Sequence, residues 1–415
     1  MGEYNEAIGN ANKLKIEKIT IEKGDYSAVD KIGLVTLYSN NYGSILQCYS
    51  TKSVLEAMGY ECNVLFLIDD KNKIAKKVVA LFRLMYRSLR YKGYFNHYLK
   101  MRKALRVESN LVSEEAINKM DTFVQKELMP KGFTYKELKT KVNNEFTGFI
   151  AGSDQIWNAS RKIEPFFFLN FAEPYKRIAL CPSFGIKDVP QYYKNSIKKG
   201  LDGFTTISVR EESGKKIVAN LTGKEAVRLA DPTLLLNEKQ WREFYGRKKY
   251  SNEKYIFMHF LGKPNSVAIE SIRWLAKQMN CKVYCFANKY EECLIIEGIS
   301  FVDGDAKDYV AYIDYSEAVC TDSFHSTLFA INLNKVFYTF QRQYIHDFPQ
   351  TARISDLLER YKLTDRYILQ FNQIKDVYGK ENYNHQEILF SERKNLSNYL
   401  KCQLENVKSK KRERK

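Results

Sequence analysis

The sequence predicts an α/β protein made of two doubly wound parallel-sheet halves that face each other, and three observations carry that prediction. Short apolar runs of strand length alternate with stretches of helical period along most of the chain. The alternation pauses near Leu236 to Ser251 and then begins again. At 415 residues and 48.6 kDa the chain exceeds one ordinary core, so two such units are expected.

The first thirty residues mix charges throughout and hold no uninterrupted apolar core of the kind a secretory signal needs, so 1–30 reads as an extension. Ile32-Gly33-Leu34-Val35-Thr36-Leu37 is a buried strand, Tyr38 to Gly43 a polar loop, Ser44 to Met58 a helix stopped by Gly59, and Cys62 to Ile68 a second strand. That order of elements belongs to a parallel sheet with helices on its faces. A helical insertion at about 71–145 follows, with a basic stretch first and a second helix near Ser113 to Leu128. Strands return at Gly148 to Ala151 and Arg177 to Pro182, and two more, Thr205 to Val209 and Ala226 to Leu229, bracket the helix Glu211 to Leu221. Asp231-Pro232-Thr233 breaks the pattern, and the first domain is expected to span 31–236.

The second domain, 252–363, opens with the strand Tyr255 to Phe260 and passes through the helix Ser266 to Met279 to the strand Lys282 to Phe286. The helix Asp305 to Ser316, the strand Ala318 to Cys320, a helix carrying His325 and the strand Lys335 to Phe340 come next. Residues 364–415 read as a C-terminal helical segment, and the final KSKKRERK as a disordered basic tail.

The formal charge of +17 is uneven. From Lys71 to Arg106 there is no Asp or Glu, and Ile74, Val78, Leu81, Phe82, Met85 and Leu89 fall on one helical face flanked by Lys73, Lys76, Lys77, Arg83, Arg87 and Arg90. Such a helix lies on an anionic membrane, docks a phosphate-bearing partner, or covers the core with a solvated basic side. No recognised nucleic-acid module occurs and the charge sits in one insertion, so nucleic acid is not an expected partner. No apolar run approaches the roughly 20 residues of a membrane-spanning helix, and a cytoplasmic protein is expected. Eight scattered cysteines without a CxxC pair read as reduced core thiols, and no metal site is expected.

Ligands of open parallel sheets sit beyond the carboxyl ends of strands, and two facing sheets make a cleft there. The loops at those places are Tyr38 to Gly43, Gly152-Ser153-Asp154-Gln155-Ile156-Trp157-Asn158, Arg210-Glu211-Glu212, and Thr321 to Thr327. Each has an ordinary reading as turn chemistry: Gly43 and Gly152 for tight bends, Trp157 as a core plug, Arg210 paired with Glu211, Glu212 or Asp231, and Asp322 or Ser323 as a helix cap. Together they place a carboxylate, an arginine, a histidine and several amides on one side of two sheets. The first turn of a helix carries unpaired N–H groups that favour anions, and its dipole favours a neutral His325.

The runs NNYGSILQCYS, GFIAGSDQIWN, SVREESGKKIV, LADPTLLL, TDSFHSTLFAI and ARISDLL follow one another in the order of the motifs of the polysaccharide pyruvyl transferase family, which the chain resembles over roughly Lys31 to Leu363. The resemblance implies two Rossmann-like domains, similar to the GT-B glycosyltransferase architecture. It also implies transfer of pyruvyl from phosphoenolpyruvate, as a ketal across two hydroxyls, to a sugar of a capsular, exopolysaccharide or cell-wall glycan, with no cofactor besides that donor. The acceptor is a sugar or a lipid-linked oligosaccharide, and the basic stretch 73–106 would meet an anionic membrane surface at the inner face of the membrane. On the matching positions, His325 and Asp154 are expected to be catalytic, and Arg210 and Arg353 to clamp phosphate and carboxylate. Ser323, Ser326, Thr327, Asn41, Gly43 and Gln155 are expected to bind substrate. The family often has glycine after the histidine where Ser326 stands here, which leaves either a less close backbone approach or a hydroxyl contact. The rival reading is a nucleotide-sugar glycosyltransferase of the same two-sheet shape in the same glycan pathway.

Overall fold

A computed structural model describes residues 29–39, 41–68, 73–108, 112–159, 163–247, 249–287, 291–342, 352–380 and 385–414. In the first half β1 (Lys31–Val35), β2 (Glu61–Leu67), β3 (Lys131–Phe133), β4 (Gly148–Ala151) and β5 (Arg177–Ala179) form one sheet in the order β3-β2-β1-β4-β5. Two short strands, β6 (Ile207–Val209) and β7 (Ala226–Arg228), pair separately. In the second half β8 (Tyr255–His259), β9 (Lys282–Phe286), β10 (Ile299–Val302), β11 (Ala318–Thr321), β12 (Phe337–Phe340) and β13 (Tyr367–Ile368) are ordered β10-β9-β8-β11-β12-β13. Every pairing between these strands is parallel, and helices connect them, so both halves are Rossmann-like.

Local chemistry accounts for the elements that build the site. Helix α1 (Tyr42–Ala57) begins where the Asn41 side chain accepts the Ser44 N–H, and it ends before Gly59, whose φ of +85° no other residue adopts cheaply. The insertion forms α2 (Lys73–Arg90) and α3 (Tyr94–Glu108). In the second half α4 (Ala306–Tyr315) precedes β11, α5 (Phe324–Asn332) follows it, and α6 (Ala352–Arg360) follows β12. Helix α7 (Gln386–Glu413) leaves the second half, where His385 Nε2 lies 3.1 Å from the Ile331 carbonyl. It then runs back along the first, where the Tyr399 hydroxyl donates to the Ala179 carbonyl and Lys411 to Thr147.

The structure differs from the sequence reading at several places. The helical insertion is interrupted at Lys131–Phe133, which returns as the edge strand beside β2 before helical turns resume over Tyr135–Glu145; KGF has no alternation to announce it. Ile299–Val302 adds a strand that the sequence pattern does not announce, and the second sheet extends past 363 to Tyr367–Ile368. The basic tail is helical through Glu413, where Lys408 and Lys411 face Asp30. The apolar face of α2 does not cover the core: Val78, Leu81, Phe82, Met85 and Leu89 are exposed.

The halves are packed together rather than hinged over an open gap. One apolar cluster runs from Ile32, Leu34 and Ile45 through Trp241 to Phe257, Tyr309 and Phe329, and on to Leu396 and Leu400 of α7. Tyr42 stacks on Tyr309 at 4.8 Å and 4°, and its hydroxyl donates to the Gly304 carbonyl. All eight cysteines are free thiols; Cys402 is exposed and Cys281 is half-buried.

Candidate active site between the two halves

Four strand ends of the first half and one of the second converge on a single place. Past β1 the chain turns into α1 and presents Gly43, where an added Cβ would lie 2.0 Å from His325 Nδ1. Glycine is required there by the close approach of the opposite half. Past β4, Gly152 (φ +124°) brings its backbone so near Leu180 that a Cβ would meet that carbonyl oxygen at 2.1 Å, and Asp154 follows in the left-handed region. The Asp154 carboxylate accepts the Ser44 hydroxyl from the first turn of α1. Past β6 come Arg210 and Glu211, and past β7 comes Asp231. From the second half β11 delivers Ser323, which caps α5, and His325 in its first turn.

Asp231 is the hub of these groups. Arg210 donates to it at 2.5 Å, His325 Nε2 stands 3.4 Å away, and its other oxygen accepts the Thr233 N–H and hydroxyl. Arg210 also lies 3.8 Å from both Asp154 and Glu211. Its Nε and second terminal nitrogen are buried with no hydrogen bond, as is Nε2 of His325. Buried donors without acceptors are rare and costly, and they mark where a ligand's oxygens belong. The Arg210 guanidinium lies 4.5 Å from the Phe324 ring centroid and that of Arg353 lies 5.8 Å from the same ring.

These carboxyl groups are driven apart in acidity. Burial would raise Asp154, but His325 and Arg210 outweigh it, with the Ser44 bond and Arg353 adding to them, and the group is held below the ordinary range. Asp231 is likewise held low: His325, Arg210 and the Thr233 N–H outweigh its burial. Glu211 goes the other way, because burial pushes it up beyond what Arg210, Ser183 and Arg353 recover. Ser183 donates to one of its oxygens while the other has no partner. A raised carboxyl beside two depressed ones separates an acid from bases.

The structure brings His325, Asp154, Arg210, Arg353 and Gly43 together, and it turns the other expected residues to tasks inside the fold. Asn41 and Ser323 are helix caps, the latter accepting the Ser326 N–H. The carbonyl oxygen of Gln155 accepts from Asn158 in its own loop. Thr327 bonds the Ser323 carbonyl and Thr339. The Ser326 hydroxyl lies 2.9 Å from His259 Nδ1 and 2.6 Å from the Tyr309 hydroxyl, so it faces the core, away from the anion site. Burial pushes His259 down to about 3, with Arg342 adding to the effect, and keeps it neutral. What remains for a ligand on this turn are the N–H groups of Phe324 and His325, the first two of α5, which have no acceptor within the helix. Asp322 takes no part, being held by Arg342 and the Leu261 and Gly262 N–H groups.

Two residues of the site escaped the sequence reading as functional groups. Asp231 stood only as a break after β7 and as an ordinary partner for Arg210, and Glu211 likewise. The signal available for Asp231 was its place at a strand end in Leu229-Ala230-Asp231-Pro232-Thr233.

The polysaccharide pyruvyl transferase family description matches residues 41–344, well over half of the sequence. The chain belongs to the polysaccharide pyruvyl transferase family. Comparison with curated proteins gives no match. Among solved structures this family member is similar to UDP-N-acetylglucosamine 2-epimerase from Rickettsia bellii, at 10% identity and a TM-score of 0.49 over 92% of this chain and 96% of that one. It is also similar to Arabidopsis thaliana UGT89C1 complexed with UDP-L-rhamnose, at 7% identity and a TM-score of 0.49 over 92% of this chain and 100% of the other. The fold is GT-B-like, with two Rossmann-like halves; it rests on the strand orders given above. Among the described residues, no helix is long and apolar enough to cross a membrane.

Proposed function

We propose that this transferase moves the pyruvyl group of phosphoenolpyruvate onto two hydroxyls of a glycan sugar, forming a ketal and releasing phosphate. One observation supports this reading above the others. Two buried guanidinium groups from opposite halves, Arg210 and Arg353, lie over one ring, Phe324, beside His325, and both line the same cavity. A small polyanion with a phosphate at one end and a carboxylate at the other matches two cations and the first turn of α5.

The reaction needs one proton delivered to C3 of the donor and two removed from the acceptor hydroxyls. His325 takes the proton of the first hydroxyl at Nε2, the nitrogen without a hydrogen bond, as that hydroxyl's oxygen bonds to C2, and Asp231, 3.4 Å away, stabilises the imidazolium that forms. Glu211, whose buried carboxyl is raised toward its protonated form, supplies the proton to C3. Breaking the C2–O bond releases phosphate, and the second hydroxyl then closes the ketal, its proton leaving with phosphate. Asp154, held ionised, accepts a hydrogen bond from the sugar and orients it. Arg210 neutralises the leaving phosphate in a site with little water, where a fixed charge acts most strongly.

Phosphate release from phosphoenolpyruvate, measured against a panel of sugar glycosides, tests this reading. Calorimetric titration with phosphoenolpyruvate and with nucleotide-sugars separates it from the glycosyltransferase rival. Binding of a nucleotide-sugar with no heat from phosphoenolpyruvate would refute it.

A further inference from the structure

Helix α2 is amphipathic in the reverse sense for a helix that covers a protein core. Among its described side chains, Leu84, Arg87 and Ser88, one turn apart on one face, are the partly buried ones. There Arg87 lies over the rings of Tyr193 at 5.0 Å and Tyr94 at 5.6 Å and donates to the Tyr94 hydroxyl. The opposite face carries Val78, Phe82, Met85, Tyr86 and Leu89, and it is bare: Phe82 is 67% exposed and Leu89 87%. Helix α3 is fixed through buried Tyr94 and His97 against Tyr192, at 4.8 and 5.5 Å, and exposes Phe95 and Leu99. The hairpin is thus held by its polar and tyrosine-rich side and turns an apolar surface outward. Contiguous exposed apolar surface on this scale marks an interaction site.

Charge decides the occupant. No acid occurs from Lys71 to Arg106, whereas Arg83, Arg90, Lys92, Lys100, Arg102 and Lys103 are exposed around the apolar face. A second copy of the hairpin would bring cations against cations with no carboxylate between them, and a neutral protein groove would leave them unpaired. An apolar interior beneath an anionic surface satisfies both parts, and a phospholipid bilayer has that form. We propose that the α2–α3 hairpin seats the protein on an anionic phospholipid surface, with Phe82, Met85 and Leu89 entering the acyl boundary and the arginines and lysines at the headgroups. The hairpin shares no residue with the candidate active site, so this proposal stands or falls separately from the pyruvyl-transfer reading.

Flotation of the full chain with vesicles of phosphatidylglycerol and phosphatidylcholine, and with phosphatidylcholine alone, tests it without any assay of turnover. The protein is expected to float with the anionic vesicles at low salt and to be released at high salt. Phe82→Asp with Leu89→Asp should abolish flotation, and Arg83→Ala or Arg90→Ala should each weaken it about fivefold. These side chains are exposed, so folding is expected to survive, and an unchanged melting temperature checks that. A Phe82→Trp variant should show blue-shifted emission with anionic vesicles. Retention in the soluble fraction at low salt, equal flotation of the double aspartate variant, or a concentration-dependent dimer that this variant dissolves would each overturn the proposal.

Discussion

Two helix starts face each other across the centre of the molecule, and they are built alike but used differently. In α1 the Asn41 side chain caps the Ser44 N–H, and in α5 the Ser323 side chain caps the Ser326 N–H, each just past the end of a buried parallel strand. The first presents a glycine at its second residue and the second presents a histidine at its second residue. Neither is intelligible alone: Gly43 makes the room that His325 fills. Capping positions a helix, whereas the residue opposite decides what that helix can do.

Removing the imidazole is the strongest way to break this pairing. His325→Ala should lower phosphate release by about 10²–10⁴-fold with little change in melting temperature, measured by phosphate release and thermal unfolding. Filling the space opposite comes next. Gly43→Ala puts a methyl where the ring stands, and a displacement of about 1 Å at a reacting group costs on the order of 10²-fold in kcat. An unchanged kcat would mean that the two helix starts are not coupled. Glu211→Gln probes the proton on the donor side. A carboxyl raised by burial is lost as an acid when pH rises through its raised value, so the wild-type rate should fall on that alkaline limb. The variant should be slower by about 10²-fold and lack the limb, since an amide does not titrate.

The far side of α5 sharpens the comparison in a different currency. Ser326→Ala leaves the anion-facing side intact but strands His259 Nδ1 in the core and takes one partner from the Tyr309 hydroxyl, so it should cost about 1–3 kcal/mol in urea unfolding while activity is largely retained. The smallest effect is in pH. His259 is held neutral down to about 3, so its contribution is fully present above the unfolded value near 6.5 and is lost as pH falls below it, because the unfolded chain then binds a proton that the native state refuses. Asp154 and Asp231 act in the same direction further into acid, and Glu211 opposes them. Urea midpoints from about pH 7 to 5 should decline, and His259→Gln should flatten that decline.

Much of this was legible in the chain, and the reasons differ by residue. Apolar runs such as Ile32 to Val35 and Ala318 to Cys320 are buried on both faces of a parallel sheet, so they read as strands without help from the fold. Lys131–Phe133 did not, since an edge strand of three residues has no pattern of its own. Arg210 was visible as a cation at a strand end, but its partners Asp231 and Asp154 stand at the ends of other strands of the same half and are chosen by how that half folds. The hydroxyls of Ser323, Ser326 and Thr327 look equivalent in a string of letters, yet successive residues of a helix point in different directions, and these three turn to a cap, the core and the sheet.

By itself the sequence determined the alternation of strands and helices, the places where loops could carry chemistry, the basic character of the hairpin and membership of a family, because periodicity, turn residues and ordered motifs are local properties. Only the tertiary structure decided that Asp231 stands behind His325, that Glu211 is driven toward its acid form while Asp154 is held ionised, and that the apolar face of α2 turns outward. Burial and the distance between remote charges set those outcomes, and neither exists until the two halves have packed.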